Sequence, residues 1–92
     1  MDMKRLHLWV SGMVQGVCFR SFTRREAAEL EITGWVKNLY NGKVEILAEG
    51  EEWSLKELVK AIRMGPPSAS VRAVEIKEEE YKNEFEQFTV RF

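Results

Sequence analysis

Leu6, Leu8 and Val10 alternate with His7, Trp9 and Ser11, the period of a half-buried β-strand. The alternation breaks over Gly12 to Val17 and gives way to helical spacing. Phe19, Phe22, Ala27 and Leu30 fall on one face, with Glu26 and Glu29 on the wet side. Thr33 to Leu39 and Lys43 to Glu49 read as a second and a third strand. They are joined through Tyr40-Asn41-Gly42, because Asn-Gly is the strongest short-range hairpin signal. Leu55, Leu58, Val59 and Ile62 then predict a second amphipathic helix. Ser54-Leu55-Lys56-Glu57 fits a capping box at its start, Gly50 offers a start one turn earlier, and Gly65-Pro66-Pro67 ends it. Val71 to Lys77 predicts a fourth strand whose apolar parity slips between Ala73 and Val74, pointing to a bulge or to burial on both sides. Glu78-Glu79-Glu80 reads as a solvated turn, and Phe88, Val90 and Phe92 alternate in a last strand.

The resulting order is βαββαβ plus a short extra C-terminal strand. One hairpin between two strand–helix crossovers gives an α+β, ferredoxin-like sandwich with two helices on one face of an antiparallel sheet. The 92 residues form a single domain spanning residues 1–92. This architecture hosts many functions, so function has to come from a site.

Composition narrows the field. The net charge of −1, from 14 basic and 15 acidic residues, lacks the positive excess of a protein that grips nucleic-acid phosphates, so no nucleic-acid partner is expected. One Cys and one His exclude an internal disulfide and a structural zinc site. No apolar run approaches the ~20 residues of a membrane span, and Met1 to Arg5 leads straight into a strand rather than a signal peptide. A cytoplasmic protein without a membrane partner is the expectation. Glu outnumbers Asp by 14 to one, and three Asn and two Gln leave few thermolabile residues, a composition that leans toward a heat-adapted source.

The informative chemistry lies between the first strand and the first helix. A helix N-terminus presents unpaired N–H groups and a positive dipole end, and glycines let the preceding backbone curl into an anion nest. Arg20 enters the first turn beside that nest, with a planar guanidinium able to bind a phosphoryl group bidentately. From spacing alone, a phosphate site and a purely structural glycine turn both remain open. The residues Gly12-x-Val14-Gln15-Gly16-Val17-x-Phe19-Arg20 resemble the signature of the acylphosphatases, and Gly34-Trp35-Val36-Lys37-Asn38 resembles the family's second motif. The similarity continues through Asn41-Gly42-x-Val44-Glu45, Glu49-Gly50, Gly65-Pro66, Ala69-x-Val71 and Phe88-x-Val90, nearly the whole chain. The resemblance implies hydrolysis of the carboxyl–phosphate bond of small-molecule acyl phosphates, with no metal and no cofactor. It implies that backbone N–H groups of Gln15, Gly16, Val17, Cys18, Phe19 and Arg20 cradle the phosphate, that Arg20 clamps it, and that Asn38 orients the attacking water. Two positions depart from the family pattern: Glu31 stands where Gly is frequent after the first helix, and Asn41 replaces a frequent Asp.

Other readings compete at individual residues. Cys18 and Arg24 match by letters the Cys-x5-Arg pattern of the cysteine phosphatases, but no Gly lies between them and the glycines precede Cys18, so Cys18 reads as an unreactive loop position. His7 reads as a satisfied or exposed strand residue rather than a base. Trp9, Trp35 and Leu47 share the second sheet face, where ordinary packing or weak self-association is expected; Arg24 and Arg25 read as solvated, and Glu45 and Glu49 as surface. Two further functions are weighed beside the freestanding enzyme. One is the related domain of carbamoyl-transferring hydrogenase maturation proteins, acting on carbamoyl phosphate. The other is a non-enzymatic ferredoxin-like binding module.

Overall fold

The computed structural model describes residues 2–92. Its elements are β1 (Met3–Met13), α1 (Phe19–Glu29), β2 (Thr33–Asn38), β3 (Val44–Glu51), α2 (Glu52–Met64), β4 (Ser70–Glu79) and β5 (Phe88–Arg91). They build one sheet of order β4-β1-β3-β2-β5. The first four strands pair antiparallel, as the pattern predicts, whereas β5 lies parallel to β2, with Gly34 opposite Phe88 and Val36 opposite Val90. The sheet is therefore mixed. The reason is topological. β4 runs against β1 and finishes at the sheet end where β1 and β2 begin; a segment crossing that end must enter beside β2 in the direction of β2. As a result β1, β2 and β5 all finish at the same end of the sheet.

Strand parity divides the two faces. Leu8, Val10, Val36, Val44, Ile46 and Ala48 point to the helices and are buried against Phe19, Ala27, Leu55, Leu58 and Ile62. Each of the Leu, Val, Ile and Phe side chains contributes about 1.5–3 kcal/mol through removal from water, which makes this layer the main source of stability. Among the described residues, no helix is long and apolar enough to cross a membrane.

The opposite face carries charge where the sequence suggests surface. Glu49 is 2% exposed, a correction to its expected place in solvent. Its carboxylate lies 3.5 Å from Arg5 Nη1 and accepts backbone N–H groups of Lys82 and Glu84, at 2.8 and 3.3 Å. It thereby anchors the segment that carries the chain from β4 to β5. Glu78 and Glu79 belong to β4 rather than to a turn, because Glu79 meets Arg5 at 3.3 Å and His7 Nδ1 at 2.9 Å across the ladder. Glu45 faces the other ring nitrogen of His7 at 2.6 Å, so it too is engaged rather than free, and His7 is satisfied as expected. Trp35 and Leu47 are buried on this face, with Lys37 Nζ and the Arg91 guanidinium over the Trp35 ring at 5.3 and 4.8 Å.

Element ends explain the remaining differences. α2 begins at Glu52 with Glu51 as N-cap and no side-chain cap, and Ser54 is buried inside the first turn instead of capping it. β3 runs directly into this helix, and the N–H of Glu52 donates to Asp2 O at 3.0 Å, so strand pairing rather than a local box sets the start. The bulge sits at Arg72, left unpaired between the Ser11–Ala73 and Gly12–Val71 pairs, next to the predicted parity slip. Gly12 belongs to that strand pairing: at φ +125° a Cβ there would lie 2.2 Å from Ser70 O. It is thus a close-approach glycine of the sheet, not a member of the nest expected from the sequence.

Candidate active site

The loop Val14–Cys18 leaves the end of β1 bracketed by two buried side chains, Val14 and Phe19. Between them Gly16 (φ +72°) and Cys18 (φ +63°) adopt the left-handed conformation while Val17 does not. Alternating backbone hands turn successive N–H groups to one side, the geometry of a nest. At Gly16 nothing lies within 4 Å of a would-be Cβ, so the glycine is needed for its backbone conformation rather than for a close approach. The first helical bond runs from Phe22 N–H to Cys18 O at 3.0 Å, so the N–H groups of Phe19, Arg20 and Ser21 precede the ladder. No acidic residue occupies the first turn of α1 to offset the positive dipole end.

Arg20 sits in that first turn and is held from β5. Its Nη1 donates to Arg91 O at 3.1 Å and its guanidinium carbon lies 4.7 Å from the centre of the Phe92 ring. The guanidinium is thereby oriented with N–H groups to spare. Asn38 comes from the end of β2, on the same face as Val36, and its Oδ1 is buried with no hydrogen-bond partner among the described residues. An unsatisfied buried acceptor is costly and calls for a donor. The structure brings the separate motifs together: Gly16, Cys18, Phe19, Arg20 and Asn38 line one cleft of about 410 Å³. An adjoining cleft is lined by Gln15, Lys37, Asn38, Leu39, Tyr40 and Phe92.

Four side-chain or backbone contacts to the site, from Gln15, Ser68, Arg91 and Phe92, escaped the sequence reading. Gln15 is expected to act through its backbone, yet its Nε2 donates to both Leu39 O and Lys43 O at 2.8 Å. Ser68 Oγ donates to Val17 O at 3.0 Å and ties down the far shoulder of the loop. Arg91 and Phe92 hold Arg20. Of these only Phe92 left a trace in the sequence, since it keeps the parity of Phe88 and Val90 and so points to the same face as Asn38. Cys18 is exposed, at the N-cap of α1, and makes no side-chain cap.

Fold and site together define a small α+β protein with a backbone nest, Arg20 and Asn38 gathered at one end of its sheet. The sequence model of the acylphosphatase family matches residues 6–90. An acylphosphatase of Archaeoglobus fulgidus is 53% identical over 87 residues, 95% of this chain and 97% of that protein. The crystal structure of acylphosphatase from Bacillus subtilis aligns with a TM-score of 0.93 at 37% identity, covering 97% of this chain and 99% of that one. The structure of T. kodakarensis HypF aligns with a TM-score of 0.84 at 33% identity, over 97% of this chain but 12% of that much longer one. The chain belongs to the acylphosphatase family, hydrolases of acyl phosphates that need no metal or cofactor.

Proposed function

We propose that this chain hydrolyses acyl phosphates by in-line attack of a water held by Asn38 on a phosphoryl group held by the loop of residues 15–20 and by Arg20. The observation that carries the reading is the convergence of the cradle, Arg20 and Asn38 on one cleft. The N–H groups of Gln15 to Arg20 and the guanidinium supply donors to the phosphoryl oxygens, where charge builds up as the phosphorus is attacked. The buried Oδ1 of Asn38 accepts an O–H of the water and aims its lone pair at phosphorus. The water oxygen bonds to phosphorus, the bond from phosphorus to the carboxyl oxygen breaks, the electron pair leaves on the carboxylate, and both water protons stay on the phosphate, which is released as dihydrogen phosphate. Because a carboxylate departs without prior protonation, no general acid is needed, and Asn38, which has no basicity at neutral pH, serves by position alone. In this reading the substrate is a small molecule and the setting cytoplasmic; neither a nucleic acid nor a membrane enters it, in line with a net charge of −1.

The test is turnover of an aryl acyl phosphate with chelator present. Wild-type protein is expected to hydrolyse it, Arg20→Ala to lose about 100-fold or more in kcat/KM, and Asn38→Ala to lose kcat while inorganic phosphate still inhibits. Equal turnover by Arg20→Ala removes this reading. In favour of an acylphosphatase over the carbamoyl-transfer alternative is the higher identity to an acylphosphatase, 53% for that of Archaeoglobus fulgidus against 33% for T. kodakarensis HypF.

A further inference from the structure

The two halves of the site come from different parts of the chain. The cradle follows β1, whereas Asn38 closes β2, and hydrolysis requires a fixed distance between them. One side chain spans the gap. Gln15 belongs to the cradle by its backbone, and its amide nitrogen donates to Leu39 O and to Lys43 O, each at 2.8 Å. Leu39 is the residue after Asn38. Lys43 faces it across the mouth of the hairpin, where Leu39 N–H donates to Lys43 O at 2.9 Å and the β2–β3 ladder ends at the Asn38–Val44 pair. Gln15 therefore grips both strands of the hairpin at the point where Asn38 leaves it. Among the described residues, these two bonds are the only hydrogen bonds between the loop of residues 14–18 and the hairpin; the loop's other shoulder is tied elsewhere, by Ser68 to Val17 O.

The chemistry of the contact is selective. Two carbonyl oxygens facing one atom require a nitrogen with two hydrogens. Glutamate has the same length but offers only acceptors, and leucine fills similar space with no donor. Gln15 is half-buried and lies outside the hydrophobic core, so its side chain does little for core packing. Its effect falls on geometry, where a misplacement of about 1 Å between reacting groups costs on the order of 100-fold in rate.

We infer that the Gln15 side chain is a positioning residue: it sets the separation between the phosphoryl cradle and the water held by Asn38, and so acts on kcat rather than on phosphate binding. The inference rests on the hydrolytic reading above. The experiment is a double-mutant cycle of Gln15→Leu with Asn38→Ala, reading kcat, KM and inhibition by inorganic phosphate on an aryl acyl phosphate. Gln15→Leu alone is expected to lower kcat about tenfold or more with phosphate inhibition changed less than about threefold. In the Asn38→Ala background the same substitution is expected to cost less than about twofold, since the water it would misplace is no longer held. Gln15→Asn, which keeps the amide on a shorter stem, repeats the cycle should the leucine variant fold poorly, and is expected to fall between wild type and Gln15→Leu. Equal losses in both backgrounds, an unchanged kcat, or a loss confined to phosphate inhibition would each overturn the positioning role. An inactive wild-type protein defeats the hydrolytic reading itself, and with it this one; an active wild type with an additive cycle defeats only the role of Gln15.

Discussion

The residue most exposed to misreading is Cys18. By letters it begins a phosphatase signature, and by chemistry it is the best nucleophile in the loop. The structure gives it a different part. It holds φ +63° at the N-cap of α1, a conformation that an L-residue other than Gly, Asn or Asp takes at a cost of about 1 kcal/mol. In the proposed mechanism the cradle uses the backbone N–H there, which any side chain leaves in place. Cys18→Ser is accordingly expected to retain most of the wild-type kcat, measured on an aryl acyl phosphate. A fall beyond about 100-fold would restore the thiol mechanism. That Cys18 and Arg24 do not bracket a phosphate loop could be argued from the sequence, since the glycines precede Cys18, and α1 does run through Arg24. Its backbone conformation could not, because a positive φ at a residue other than glycine leaves no mark in the pattern of apolar and polar positions. Arg20 was legible from its place after the glycines, whereas its hold on Arg91 and Phe92 was not, because that contact joins residues about seventy positions apart.

At the scale of elements, local pattern was read well and ends were read poorly. The alternation of Leu6, Leu8 and Val10 and the Asn41-Gly42 turn are local signals, and β1 and the β2–β3 hairpin follow them. The start of α2 is set by strand pairing and a bond to Asp2 O, which no local cap reports. The end of α1 shows the same contrast. Ile32 N–H donates to Ala27 O at 2.9 Å and Glu31 N–H to Ala28 O at 3.1 Å, the paired bonds of a Schellman motif, with buried Ile32 meeting buried Ala27. Glu31 occupies the position that favours Gly, at φ +59°, which explains physically why Gly is frequent there in the resembling family. Its side chain is exposed, so nothing is lost by removing it. Relief of the left-handed strain exceeds the added entropy of the unfolded chain, and Glu31→Gly is expected to stabilise by about 0.5–1 kcal/mol. Thermal unfolding reads this as a rise of roughly 2–6 °C, and a lower midpoint would count against the account. Glu31→Val, with a branched Cβ at the same φ, is expected to move the midpoint down.

At the scale of the whole molecule, the charged face does what the apolar face cannot: it joins both sheet edges through the segment between them. Arg5 on β1 meets Glu49 on β3, Glu79 on β4 and Glu84 in the crossing segment, and His7 links Glu45 on β3 to Glu79. A sequence shows these as dispersed charges, each most simply solvated, because their partners lie on neighbouring strands rather than neighbouring residues. The network also gives the fold a pH dependence with a definite sign. The hydrogen bond from His7 holds the Glu79 carboxyl below its ordinary value of 4.5, with further help from the charges of His7, Arg5 and Lys77 and some opposition from burial. A carboxyl whose value is lowered by folding binds fewer protons in the native chain than in the unfolded one. Its contribution is therefore complete above pH 4.5 and is lost as the pH falls below that value toward the lowered one. With a side chain 28% exposed, solvent screens the effect and the share of Glu79 is modest. Thermal midpoints of wild type and Glu79→Gln, followed from pH 7 down to pH 3, are expected to converge below about pH 4.5, the wild type falling faster because only it has this carboxylate to protonate. A constant gap between the two curves would show that Glu79 holds β4 by shape rather than by charge. Either way the crossing segment stays anchored by buried Glu49, whose bonds to the Lys82 and Glu84 backbone have no counterpart in Glu79.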